Sequence, residues 1–386
     1  MTYDVDALRE REFPWAAAGE SIFLNHASTG PLPQRAVDAT AAFNHLRAAP
    51  HRLTDEYQFA TLARSRELIA SLIGAEVSEI ALAINTTYGI NLAAFSLPLR
   101  TGDVVLAPDL QFPANIYPWM HLAATRGVKF HRVPCPDGCF DVETLLRELE
   151  LRPRVRALTV SWVGFSHGAR VDLAALGAVC RERGLFFIVD AIQGLGPLTL
   201  DVGAVPIDIL ACGAQKWLLS PWGSGFVYVR KELVGTLEPH DVSWMDVRGS
   251  DDFTQLTNYD LTWRDDARRF EFITLPFQDF AGFNASLELF HELGAAQIEA
   301  YVARLADFIV DWTCARDDVT LVTPAHPSQR AGIVSVRPRD PVAASVRLRA
   351  AGIRASLREG AIRLSPHCYN TVDEIETALN VLSASA

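Results

Sequence analysis

Nowhere does this sequence run uninterrupted through the roughly 18 apolar residues that a bilayer-spanning helix needs. Its start, MTYDVDALREREF, is acidic and polar where a secretory leader would be basic and then apolar. A cytoplasmic protein is the expectation. Basic residues are also in short supply, with 35 Lys and Arg against 46 Asp and Glu and a net charge of -11. No basic stripe interrupts that balance, which excludes a nucleic acid or an anionic membrane as partner but leaves room for a locally positive pocket around a small anion. Cysteine is sparse, six residues at 135, 139, 180, 212, 314 and 368, the complement of a reduced intracellular protein and not of a disulfide framework. Cys135 and Cys139 form a close pair, yet no second Cys or His pair at zinc-like spacing follows. The CPDGC segment therefore reads as a turn on Pro136, Asp137 and Gly138, and no metal is expected. Internal repeats and low-complexity tracts are missing. So is a G-x-G-x-x-G after the first strand, which argues against a nicotinamide-dependent dehydrogenase.

What is present is an ordinary globular composition, 49% hydrophobic and 21% charged over 386 residues, enough chain for about two domains. Between residues 80 and 230 short apolar runs alternate with helical stretches, the pattern of a largely parallel sheet covered on both faces. Seven strands are predicted, at Ala81–Asn85, Asp103–Pro108, Lys129–Pro134, Arg156–Val163, Leu185–Asp190, Ile207–Gly213 and Gly225–Arg230. Over 172–183 Leu173, Leu176, Val179 and Cys180 keep a helical stripe that Gly184 closes. Past residue 283 a long helical region extends to about Cys314. Strand-like runs follow near Gly332–Val336 and Ala361–Ser365, and then a last helix headed by a Thr371/Glu374 capping box. The expectation is an α/β protein with a seven-stranded, mostly parallel sheet over 20–283 and a smaller α+β domain over 284–386, joined by the amino-terminal arm 1–19. Ligands in such a fold bind at the carboxyl ends of the strands.

Four groups of residues fall at those ends. Lys216 follows a buried apolar strand and precedes a Gly-rich turn, either as a strand-end lysine reaching for water or as a desolvated amine that forms an imine with an aldehyde. Asp190 closes the strand LFFIVD and is followed by Gln193. It is either a helix cap or a carboxylate that keeps a pyridine nitrogen protonated, with Gln193 beside the ring oxygen. Thr86 and Thr87 open a helix, as ordinary caps or as phosphate ligands at the positive end of the helix dipole. Phe112, after the second strand, is core packing or a face on which a flat heterocycle stacks.

In these residues the chain resembles the class V branch of fold-type I pyridoxal-phosphate enzymes, from NHASTGPLP (25–33) to RLSPHCYNT (363–371), with the order Asp190, Gln193, Lys216 as the most specific part. Isopenicillin N epimerase-like and kynureninase-like members are nearest in motif. The resemblance implies pyridoxal 5'-phosphate held as a Schiff base on Lys216, Asp190 on the pyridine nitrogen, Gln193 on the ring oxygen, Thr87 and Thr86 on the phosphate, and Phe112 in the stacking position. It implies that Arg363 clamps the carboxylate of an amino acid substrate and that Thr274 reaches the phosphate site of a neighbouring subunit in a homodimer. His167 and His26 are further candidates for substrate contact, or plain loop histidines. The chain departs from the pattern before the lysine, where Gly213-Ala214-Gln215 replaces a hydroxyl residue and a histidine. Gln215 can donate to phosphate or ring but is no acid or base. No cysteine stands in GIRASLREGAIRLS, where a desulfurase carries its thiol, so desulfurase activity is disfavoured. An aminotransferase is the first expectation and an epimerase or a carbon–sulfur or carbon–carbon lyase the second. A non-catalytic pyridoxal-phosphate-binding regulator is the alternative from another class.

Overall fold

The computed structural model describes residues 3–135 and 137–383. Seven strands, β1 (Ile80–Leu82), β2 (Val104–Pro108), β3 (Lys129–Val133), β4 (Val155–Ser161), β5 (Phe186–Asp190), β6 (Ile209–Gly213) and β7 (Gly225–Val229), form one sheet in the order β1-β7-β6-β5-β4-β2-β3. β7 runs antiparallel to both its neighbours, and the remaining pairs are parallel. Every residue of β2, β6 and β7 is buried, because helices cover both sheet faces and leave no side for polar residues. All seven predicted strands are present. β1 is shorter than its apolar run because Asn85 leaves the strand to cap the helix α1 (Thr86–Ser96), its side chain accepting from the Tyr88 amide at 2.9 Å.

The helix read over 172–183 is α2 (Leu173–Arg183), opened by the Asp172 side chain on the Ala175 amide and closed by Gly184 at φ 63°. The CPDGC turn carries a hydrogen bond from the Gly138 amide to the Cys135 carbonyl, with Asp137 accepting from the Cys139 amide. Pro136 of that turn lies outside the described residues.

The long helical region is two helices, α3 (Phe277–Leu293) and α4 (Ala295–Cys314), because Gly294 at φ 82° breaks the path between them. α3 runs through the expected domain boundary at 283/284 and packs against the helices Gln34–Ala48 and Asp55–Ile73. Beyond α4 an antiparallel sheet of β8 (Val319–Leu321), β9 (Val334–Pro338), β10 (Ser356–Arg358) and β11 (Ala361–Leu364) takes the order β10-β11-β9-β8. β8 and β10 were not predicted, since three residues are too few to show alternation. The last helix, α5 (Val372–Ser383), starts on the expected capping box: the Glu374 amide donates to Thr371 Oγ1 and the Thr371 amide to Glu374 Oε2, each at 3.2 Å. The amino-terminal arm packs beside this part of the chain. Buried Arg9 donates to the Tyr369 carbonyl at 2.9 Å and pairs with Glu374 at 2.8 Å.

Candidate functional site

The parallel register decides which side chains meet. Ser161 and Asp190 lie side by side at the carboxyl ends of β4 and β5, level with Ala211 in the middle of β6, and Lys216 follows β6 by three residues. Asp190 is 2% exposed, and its Oδ1 accepts from the Ile192 amide at 3.1 Å. Burial pushes its carboxyl up to about 6, against the opposing pull of that amide and of Lys216. Burial also lowers the Lys216 amine to about 8, Asp190 holding it up while Arg363 and Arg358 push it further down. Two groups that would both be charged in water are thus moved towards one shared range, the condition an amine needs to be neutral near physiological pH.

The Lys216 Nζ lies 5.4 Å from the centre of the Phe112 ring, whose own neighbour, Phe165, meets it edge-on at 5.3 Å. Phe112 is 43% exposed, so it is no core residue and presents an open aromatic face. The loop Asn25–Gly30 supports the lysine from the amino-terminal side. The Gly30 amide donates to the Gln215 carbonyl at 2.9 Å, and a side chain at Gly30 would collide with the Lys216 carbonyl.

Around this pair the other candidates divide. Gln193 is buried; its Nε2 donates to the Ala27 carbonyl at 2.9 Å and its Oε1 accepts from the Trp217 indole at 2.8 Å, which fixes the amide and leaves one N–H free. Thr86 Oγ1 accepts from the Gly213 amide at 2.8 Å, locking the start of α1 to the end of β6. The Thr87 side chain is exposed at the same helix start. Gln215 Oε1 is buried without a hydrogen-bond partner, and a Cβ at Gly213 would stand 2.6 Å from it and 3.3 Å from the Thr86 amide. A glycine cradle and a helix start with free amides therefore share one spot, which suits the anionic tail of a ligand, and Gln215 can donate there only through its amide nitrogen, since the orphan Oε1 is an acceptor.

Arg363 is 2% exposed, donates to the Phe165 carbonyl at 2.6 Å and to Ser28 Oγ at 2.7 Å, and keeps an unpartnered Nε. No carboxylate pairs with it among the described residues. Burial, then repulsion from Arg358, brings it down to about 10, so it stays charged at neutral pH. A buried cation without an anion is a socket for one.

Two candidates face elsewhere. His26 is fully buried, with Nδ1 against the Ser365 carbonyl at 2.8 Å and Nε2 against the Tyr369 hydroxyl at 2.9 Å, so both ring nitrogens are used inside the core. Its proton affinity is lowered well below the ordinary range by burial and by His367. His167 is wedged against Gly138 and Gly164 and accepts from the Ala169 amide at 3.1 Å. Thr274 is exposed, three residues ahead of α3. Ser28, Phe165 and Trp217 join the site unannounced by the sequence; Ser28 stood inside the NHASTGPLP motif and Trp217 directly after Lys216, while Phe165 is placed by a loop that only folding brings there.

This sheet, with its carboxyl-end lysine and aspartate, is the fold of the fold-type I pyridoxal-phosphate enzymes. The chain belongs to the family described as Aminotransferase class-V, whose model matches residues 22–377, a pyridoxal-phosphate-dependent family. Among its relatives, isopenicillin N epimerase of Streptomyces clavuligerus is 30% identical with 94% of each chain covered. A probable cysteine desulfurase of Methanothermobacter thermautotrophicus is 27% identical with 92% of each covered. A solved structure of C-DES, carrying glycine covalently linked to its PLP cofactor, superimposes with a TM-score of 0.88 over 100% of both chains at 22% identity.

Proposed function

We propose that this protein binds pyridoxal 5'-phosphate at Lys216 and acts on the α-carbon of an amino acid, with transamination as its reaction. The observation that carries the reading is the Lys216 amine set 5.4 Å over the Phe112 ring at the strand ends where the buried Asp190 also lies, close enough for the two charges to act on each other. When bound, the coenzyme supplies a protonated ring that draws electrons from the α-carbon of an amine joined to it. Asp190 holds the proton at the ring nitrogen. Gln193, with one N–H unused, donates to the ring oxygen, and Thr87 with the first amides of α1 and Gln215 holds the phosphate. Arg363 takes the substrate carboxylate in a forked grip and so fixes which α-carbon bond faces Lys216. The Lys216 amine would remove the α-proton and return it, and its pKa lowered to about 8 suits both directions.

Proton chemistry supports transfer. Lys216 is a base that faces Phe112, a ring with nothing to give or take, while His26 and His167 are engaged elsewhere. Epimerisation is the second reading, favoured by the likeness to isopenicillin N epimerase. Desulfurase activity is set aside because β10 and β11 are joined only by Glu359 and Gly360, leaving no loop and no thiol, and Cys368 is buried. The cytoplasmic setting and a homodimer in which Thr274 meets the neighbouring phosphate belong to the same proposal. Six unpaired thiols suit the first, and the open position of Thr274 suits the second.

The test is borohydride trapping of the coenzyme-loaded protein followed by peptide mapping, then a panel of amino acids scored for keto acid and for racemised product. Label on Lys216 and keto acid formation are expected. Label on another residue overturns the site, and racemised product without keto acid replaces transfer by epimerisation.

A further inference from the structure

The hairpin that carries Arg363 carries a second guanidinium towards the same space. Ser356 and Arg363 are directly opposite in the β10/β11 register, as are Arg358 and Ala361. Side chains alternate along a strand, and cross-strand partners share a face, so Ser356, Arg358, Ala361 and Arg363 all project from one side. Arg358 is then the diagonal neighbour of Arg363, about 7–8 Å away. That side looks at the lysine. Ser335, opposite Arg363 on β9, donates to the Ser166 carbonyl, and Arg363 itself donates to the Phe165 carbonyl, whose ring meets Phe112 over the Lys216 amine.

Arg358 is exposed and has no ion-pair partner among the described residues; its hydrogen bond goes to the carbonyl of its own neighbour Leu357 at 3.1 Å. Glu359, beside it on the turn, is exposed and does not pair with it. The Arg358 charge nevertheless reaches inward, since it bears on both Arg363 and Lys216. In a chain of net charge -11 the charges that act on Lys216 include two cations, Arg358 and Arg363, and one carboxylate, Asp190. Asp190 is committed to the inner end of the pocket and Arg363 to one anion, which leaves Arg358 for another.

We infer that Arg358 recognises a second anionic group on the substrate, so that the preferred substrates are amino acids whose side chain ends in a carboxylate. The inference rests on the proposed role of Lys216 and Arg363 and adds the substrate class. An amino acid with its amine at Lys216 and its α-carboxylate on Arg363 turns its side chain along the hairpin face, and an acidic end there meets a planar donor fork that an amide cannot match.

The experiment titrates the coenzyme-loaded protein with L-glutamate, L-aspartate, L-glutamine and L-asparagine, following the chromophore. Each acid is expected to bind at least about tenfold more tightly than its amide, the discrimination of one charge-assisted contact. Arg358→Gln should bring the glutamate-to-glutamine ratio close to one, and Arg358→Lys should keep part of the preference. A second readout needs no turnover: glutarate should raise the melting temperature of the loaded wild-type protein and not that of Arg358→Gln. Equal affinity for acids and amides, or a preference that survives in Arg358→Gln, overturns the inference and leaves the Lys216 reading standing. A protein that forms no chromophore overturns both.

Discussion

Lys216 and Asp190 carry their chemistry through a sign that is easily reversed. The lysine is lowered to about 8, so the native chain gives up a proton that the unfolded chain keeps until about 10.5. Between those values stability rises with pH, and below 8 the cost of the buried charge is fully present. Asp190, raised to about 6, works oppositely: between its ordinary 3.8 and 6 the native chain holds a proton the unfolded chain has lost, so its contribution falls as pH rises. For function the lysine matters more. The neutral fraction of its amine grows about tenfold per pH unit up to 8 and then levels off. The rate at which coenzyme-free protein turns yellow on mixing with pyridoxal phosphate should therefore climb from pH 6 to 8 and flatten above it. A rate that is constant over that range, or still climbing at pH 10, sinks the assignment of a lowered amine. Legibility at this scale was uneven. The lysine and the aspartate stood out because a charged residue at the end of an apolar strand is costly without a purpose, Arg363 entered only through the family resemblance, and His26 and His167 look the same in sequence whether they face a pocket or a core.

The elements are tied to the site by a buried ion pair at the edge of the sheet. Arg66, on the helix Asp55–Ile73, grips Glu271 with Nε at 2.7 Å and Nη2 at 2.6 Å, and Glu271 Oε1 also accepts from the Leu82 amide of β1. The pair joins that helix, the edge strand that leads into α1, and the segment before Thr274. Glu271→Gln leaves a buried guanidinium without its anion and should cost about 3–5 kcal/mol, read as a lower denaturation midpoint with unchanged slope. Arg66→Met combined with Glu271→Leu should recover much of that loss. A single variant as stable as wild type would show that the pair is incidental. Most strands of the large sheet were legible because they are apolar runs bounded by turn residues, the edge strand β3 (KFHRV) being the polar exception. β8 and β10 were not, since their pairing is defined by β9 and β11 and not by their own three residues.

The molecule as a whole leaves Trp222 74%, Leu261 69% and Tyr259 91% exposed. With Thr274 also in the open, the homodimer is expected to sediment at twice the 42.4 kDa chain mass. Thr274→Ala should weaken pyridoxal phosphate retention on dialysis without changing that mass. A monomer that holds the coenzyme as firmly as wild type removes the shared-site proposal. No helix among the described residues is long and apolar enough to cross a membrane.

The sequence by itself determined the succession of strands in the large sheet and the open α/β class, and it offered Lys216, Asp190, Thr86, Thr87 and Phe112 as candidates at the strand ends, because periodicity and the cost of burying charge are local properties of a chain. Only the tertiary structure decided that His26 is spent inside the core, that Gln193 is locked between Ala27 and Trp217, and that Arg358 stands diagonal to Arg363 on the face towards Lys216. Those facts depend on strand register and on loops from distant parts of the chain closing on one another, and no window of neighbouring residues contains that information.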